Sequence, residues 1–276
     1  MVLVPLLLAC RSPTPPPDVA AAPVARALDP DGVEALKAAL DERVTSGGCP
    51  GYVAVLARDG VVHETLTGGV ADVASGRPMT AATPVRIASM TKPVTAVAVL
   101  QLAERGLLRL DQPAHDFVPE LAEARVATAW NRDGHGALPT VALARPITIR
   151  DLLTHTAGFG YDFGPPSDLL TMNIEADLVA RPLTLEAMSQ ELATIPLYRQ
   201  PGERWQYSWA NDVLGRVVEV SAGRPFAEVL ETQVFGPLGM TATSFLGPEP
   251  PAGLATLYTH DASGILVPTD DTLTPL

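Results

Sequence analysis

The chain has 276 residues, 47% of them hydrophobic and 18% charged, with a formal net charge of −12. That balance is enough to bury a sizeable core and rules out a disordered chain, in one large domain or two lobes sharing a core. The acidity argues against nucleic acid and anionic membrane as partners; two cysteines, Cys10 and Cys49, build neither a disulfide framework nor a metal site, and with no H-E-x-x-H and no P-loop in the sequence no metal or cofactor is implied.

The first ten residues run Met1-Val-Leu-Val-Pro-Leu-Leu-Leu-Ala-Cys10. A short apolar run ending in Leu-Leu-Ala-Cys resembles the lipobox of bacterial lipoproteins, with Cys10 as the lipidated residue, and it is too short to span a bilayer. The expectation is an exported protein: periplasmic or outer-membrane and lipid-anchored, or secreted. Residues 11–29 are rich in Pro, Ala, Ser and Thr and read as an extended linker. The globular part is expected over residues 30–276.

Val33, Leu36, Leu40 and Val44 recur at helical spacing, and Gly47-Gly48 stop that helix. Residues 52–58 read as a strand, Asp59-Gly60 as a two-residue hairpin turn, and residues 61–67 as the return strand, ended by Gly68-Gly69. From Ser89 to about Arg105 the pattern is helical and apolar nearly all round, as expected of a buried central helix. Pro93 sits in its first turn, where a missing N–H costs least. Residues 122–146 read as an irregular excursion. Thr148, with Asp151 three residues on, reads as the cap of a short helix ending at His155-Thr-Ala-Gly158. Further helices are expected over residues 183–192, 212–222 and 226–234, and the chain turns loose and polar after Pro251.

The chemistry is concentrated at Ser89-Met-Thr-Lys92. A serine needs a base within hydrogen-bond reach to act as a nucleophile. On a helix, positions i and i+3 share a face, so the hydroxyl of Ser89 and the amine of Lys92 lie side by side. Lys37 and Lys92 are the only lysines in the chain, and the apolar helix makes an uncharged Lys92 the expected proton acceptor.

Arg86-Ile-Ala-Ser-Met-Thr-Lys-Pro93, followed by residues 101–111, resembles the serine β-lactamase and penicillin-binding-protein superfamily. The likeness is nearest to its class C-like branch, which includes the family VIII carboxylesterases. Residues 147–158, Pro201-Gly202 and Gly236-Pro-Leu-Gly-Met240 carry it further. The resemblance implies an α+β fold of the β-lactamase/DD-peptidase type: a mostly helical lobe with an antiparallel sheet, of which this chain holds the N-terminal hairpin. It implies that Tyr207 is the base partner of the branch's Tyr-x-Asn motif. Trp209 stands at that motif's Asn position and is expected to contact substrate, which lowers the expectation of efficient β-lactam turnover. His155 is expected to be structural, and Asp212 to start a helix.

A third family motif, Lys-Thr-Gly or its variants, does not follow Tyr207, and no lysine follows Lys92. In the family that later strand supplies one of two oxyanion donors, whose loss costs about 3 kcal/mol of transition-state stabilisation. The sheet is therefore expected to be incomplete and this chain alone weakly active or inactive, through a companion chain or a truncated gene reading. The leading expectation is a serine hydrolase forming an acyl-enzyme on Ser89, of carboxylesterase or β-lactamase-like type, acting on a small ester, β-lactam or acyl-peptide. The alternatives are a non-catalytic penicillin-binding-like protein and a D-alanyl-D-alanine carboxypeptidase.

Overall fold

The computed structural model describes residues 27–178, 181–245 and 251–269. Residues 1–10, with Cys10, and nearly all of the linker lie outside the described residues. The described chain divides into two compact units, one of residues up to 82 with 260–266, the other of residues 83–259 with 267 onward.

The first unit begins with helix α1 (Pro30–Thr45), which has proline in its first turn. Strands β1 (Gly51–Arg58) and β2 (Val61–Asp72) form an antiparallel hairpin, and β3 (Arg77–Pro78) extends it to three strands. Arg58 pairs with Val61 across the turn, and Asp59 and Gly60 both have positive φ, 54° and 75°. Positive φ at both turn residues is the condition for the tight turn whose twist matches the strands. Strand β2 runs through Gly68 and Gly69, which sequence reading took as its end. There Gly51 lies opposite Gly69, and a Cβ at Gly51 would stand 2.6 Å from the Val70 carbonyl oxygen. The glycines allow close backbone approach within the ladder. Helix α1 packs on this hairpin, and Tyr52 donates its hydroxyl proton to Asp41 at 2.8 Å.

The second unit is mostly helical: α2 (Thr91–Glu104), α3 (Ile149–Leu153), α4 (Asp168–Glu175), α5 (Leu185–Thr194), α6 (Ala210–Ala222) and α7 (Phe226–Leu230), continued by a π-turn over Glu231–Phe235. Helix α6 is its axis. Ala210, Leu214, Val217 and Val218 have no exposed surface and pack against Ala98, Val99 and Leu102 of α2 and against α3, α5 and α7. Each such large side chain contributes about 1.5–3 kcal/mol by leaving water. Helix α2 differs from the expectation of burial all round: Val97 and Leu100 are 43% and 44% exposed. Its packing partners α6, α7 and the π-turn all meet its opposite face, that of Ala98, Val99 and Leu102.

Three elements escaped the sequence reading. The excursion at residues 122–146 contains a short hairpin of β4 (Arg125–Ala127) and β5 (Thr140–Ala142). Helix α4 is capped by Ser167, whose hydroxyl accepts the Leu170 N–H. A final ribbon, β6 (Tyr258–His260) and β7 (Leu266–Pro268), lies in the stretch expected to be loose. Among the described residues no helix is long and apolar enough to cross a membrane.

Candidate active site

The site lies within the second unit, where the start of α2 faces the turn after α3 and the loop before α6. Ser89 is the middle residue of a 3-10 turn (Ala88–Met90) that runs directly into α2. Ala88 holds φ +41°, an unusual value for a residue with a side chain, and backbone strain of this kind costs on the order of 1–3 kcal/mol. The turn exposes Ser89 rather than folding it into the helix. Its backbone N–H makes no hydrogen bond to another described residue, so it is free to meet an anion at the helix start.

Lys92 Nζ donates to Ser89 Oγ at 3.2 Å, as the i, i+3 spacing predicts. Ser89 Oγ also lies 2.5 Å from the Tyr207 hydroxyl, across 118 residues of sequence. Lys92 Nζ stands 4.8 Å from the centre of the Tyr207 ring and 6.0 Å from that of Tyr161, near enough for a cation–π attraction. Burial pushes the Tyr207 phenol up, but hydrogen bonds from Lys92 and Ser89, with the charge of Lys92, outweigh it. The phenol therefore ionises below its ordinary value.

Four backbone hydrogen bonds bring Tyr207 here. Gly158 O accepts from Tyr198 N at 2.8 Å, Thr156 O from Gly202 N at 2.8 Å, His155 O from Gln206 N at 2.8 Å, and Gly160 O from Trp209 N at 3.3 Å. They zip residues 155–160 to residues 198–209. Only glycine fits at 158, where φ is +94° and a Cβ would stand 2.2 Å from the Arg199 carbonyl oxygen. The turn is anchored by α3. Thr148 and Asp151 form the reciprocal capping box read from sequence, and Arg145 grips the 8%-exposed Asp151 carboxylate through two nitrogens, at 2.7 and 2.8 Å. Burial raises the Asp151 carboxyl, and the bonds from Arg145 and Thr148 more than reverse this, leaving it below the usual carboxylate range.

His155 was expected to be a structural turn residue, and the structure sets its ring against Tyr207. The two rings stack with centroids 5.1 Å apart and planes 21° apart. Asp212 falls in the first turn of α6, which begins two residues earlier than predicted. Burial pushes its carboxyl up to about 6, against the opposing pull of the Lys92 charge and its own backbone N–H. Tyr161, unremarked in the sequence reading, packs on Tyr207 at 5.3 Å and is pushed well above its ordinary value, first by burial and then by the negative charges around it.

Trp209 is a correction. Expected as a substrate contact, it is only 4% exposed, and its ring stacks under Tyr161 at 3.9 Å. It lies at the N-cap of α6, where the helix turns its side chain into the core. Exposed aromatic surface comes instead from Phe163 and Trp205, at 62% and 63% exposure, with Phe163 stacked on Tyr207 and Trp205 edge-on to His155. No spacing rule links residues 161 or 163 to 207, so neither was visible as part of a site. Among the described residues no group of three or more His, Cys, Asp or Glu could hold a metal ion.

Comparison with known proteins identifies the family. The family model described as Beta-lactamase matches residues 36–275. Esterase EstB of Burkholderia gladioli is 40% identical over 233 residues, covering 83% of this chain and 55% of the esterase. Among solved structures, EstCE1, described as a hydrolase with promiscuous acyltransferase activity, superposes with a TM-score of 0.73 at 31% identity, over 87% of this chain and 60% of that one. Unliganded simvastatin synthase (LovD) from Aspergillus terreus superposes with a TM-score of 0.73 at 30% identity, over 89% of this chain and 61% of that one. The chain thus spans about half the length of the curated relatives it matches. With its serine–lysine–tyrosine cluster, its mixed helix-and-sheet architecture and a family model matched over most of its length, the chain belongs to the β-lactamase family.

Proposed function

We propose that this chain carries the nucleophilic centre of a serine ester hydrolase that works through an acyl-enzyme on Ser89. The single observation that carries the reading is the position of Ser89 Oγ, 2.5 Å from the Tyr207 hydroxyl and 3.2 Å from Lys92 Nζ. The esterase and hydrolase names of EstB and EstCE1 support the reaction class.

In the proposed reaction Lys92, expected from sequence as the proton acceptor, instead donates to Ser89 Oγ, so the serine proton points to the Tyr207 oxygen. Tyr207, its negative form favoured by Lys92, takes that proton as Oγ bonds to the acyl carbonyl carbon. The Ser89 N–H, at the start of α2, meets the oxyanion. The carbonyl re-forms, the alcohol leaves with the proton from Tyr207, and an acyl-serine remains. Water then attacks that ester, gives its proton to Tyr207, and releases the acid as Ser89 recovers its hydrogen. Phe163 and Trp205 offer an aromatic surface to a small uncharged acyl or alcohol group. This favours a small ester over nucleic acid or a charged polymer.

The test is p-nitrophenyl ester hydrolysis by the chain and by Ser89→Ala. Slow release of nitrophenol, up to the amount of protein present in the first turnover and absent in Ser89→Ala, is the expected result. Release of D-alanine from a D-alanyl-D-alanine peptide, with no nitrophenol from the ester, would favour the peptidase reading. Ligand binding without any product would favour the non-catalytic one.

A further inference from the structure

His155 is the group packed closest to Tyr207 that the proposed chemistry leaves without a task. Its backbone has φ +54°, a left-handed conformation that histidine adopts more readily than most residues with a side chain. Neighbouring backbone groups hold it there. The His155 N–H donates to Leu152 O at 3.3 Å, and its carbonyl accepts from Gln206, the residue before Tyr207.

The ring is fixed as tightly as the backbone. Nδ1 lies 3.3 Å from the Ser208 hydroxyl and Nε2 lies 3.1 Å from the Asn211 side-chain nitrogen. Ser208 is 1% exposed and Asn211 8% exposed, so both partners are held by the core. With the Asn211 amide donating to Nε2, that nitrogen accepts and Nδ1 carries the proton toward Ser208. A second proton on the ring would set two donors face to face. Burial, then the charge of Lys92, lowers the imidazole's affinity for that proton in the same sense.

One face of this fixed ring lies against the Tyr207 phenol, with centroids 5.1 Å apart, and Trp205 closes its edge at 6.2 Å. Lys92 approaches Tyr207 at 4.8 Å. The phenol is therefore located by the Ser89 hydroxyl, Lys92 and the imidazole, with Tyr161 and Phe163 also packed on its ring.

We propose that His155 is a positioning residue, an imidazole pinned between Ser208 and Asn211 whose ring face holds the Tyr207 phenol in line with Ser89 Oγ and Lys92 Nζ. It touches no reacting atom. Its action passes through Tyr207 and so rests on the role proposed for Tyr207 above. A phenol displaced by about 1 Å from its proton-transfer position costs on the order of 100-fold in rate.

Two readouts test this. Asparagine tolerates positive φ, so His155→Asn keeps the turn and removes the ring. Fluorophosphonate labelling of Ser89 should proceed about 10- to 100-fold more slowly, to the same final stoichiometry. Ultraviolet titration of the Tyr207 phenol, isolated by subtracting Tyr207→Phe, should move up toward the ordinary tyrosine value. Should His155→Asn fail to fold, Asn211→Leu, which removes the bond to Nε2, should give the same upward titration shift. Labelling at the unsubstituted rate with an unmoved phenol titration would overturn the inference. So would slow labelling that leaves the phenol unmoved. The titration needs no turnover. If the unsubstituted chain takes no label while the phenol shift appears as expected, it is the reading of Ser89 that fails and the positioning role that stands.

Discussion

Replacing Asp212 by asparagine tests the electrostatics of the site with a measurable sign. The carboxyl titrates at about 6 in the folded chain against an ordinary 3.8, chiefly because burial penalises its charge. Two units at 1.36 kcal/mol each amount to about 3 kcal/mol. Asp212 keeps part of its surface, which makes this figure an upper bound. Below its unfolded value the group is protonated in both states and costs nothing. As pH rises through its folded value, the folded chain must give up a proton it holds more tightly than the unfolded chain does, and stability falls. An asparagine side chain at this position does not titrate and has no such dependence. Urea unfolding of both chains at about pH 4 and about pH 8 should therefore show the Asp212→Asn variant gaining up to about 3 kcal/mol on the parent between the two. A difference constant across that interval would refute the reasoning, and a difference of the opposite sign would show that Lys92 outweighs burial.

Asp151→Ala removes a capping box together with an ion pair whose carboxylate is buried but whose Arg145 is 43% exposed, so it should cost about 1–3 kcal/mol in urea unfolding. Because the Asp151 carboxyl is held low, this contribution is present above its unfolded value and disappears as pH falls through its folded one, which unfolding at acid pH would show as a shrinking gap between the two chains. Gly158→Ala places a methyl against the Arg199 carbonyl at a φ that alanine resists. It should displace the turn that carries His155 and slow Ser89 labelling by about 10-fold or more. Cys10→Ser should abolish incorporation of radiolabelled palmitate and release the chain from the membrane fraction, if the N-terminal run acts as the proposed lipid anchor.

Local features were the legible ones. The Asp59-Gly60 turn, the Thr148/Asp151 capping box and the Ser89/Lys92 pair are all set by residues within four positions of one another, and each is present. Tyr207 was legible through family motif, not through spacing. His155 was not, because its importance lies in a left-handed backbone and a ring stacked on a residue 52 positions away. Trp209 misled for a related reason. Motif alignment gives its position on the chain, but the direction of its side chain is set by the start of α6, which buries it under Tyr161. The apolar pattern of α2 indicates a helix without distinguishing its faces, so the exposure of Val97 and Leu100 could not be foreseen.

The account depends on Ser89 being a nucleophile activated by its two neighbours. Treatment of the chain with a fluorophosphonate, followed by proteolysis and mass spectrometry, measures that most directly. The adduct should fall on the peptide containing Ser89 alone, be absent from Ser89→Ala, and form far more slowly in Tyr207→Phe and Lys92→Met. An adduct on another serine, or an unchanged rate in both neighbour variants, would contradict it.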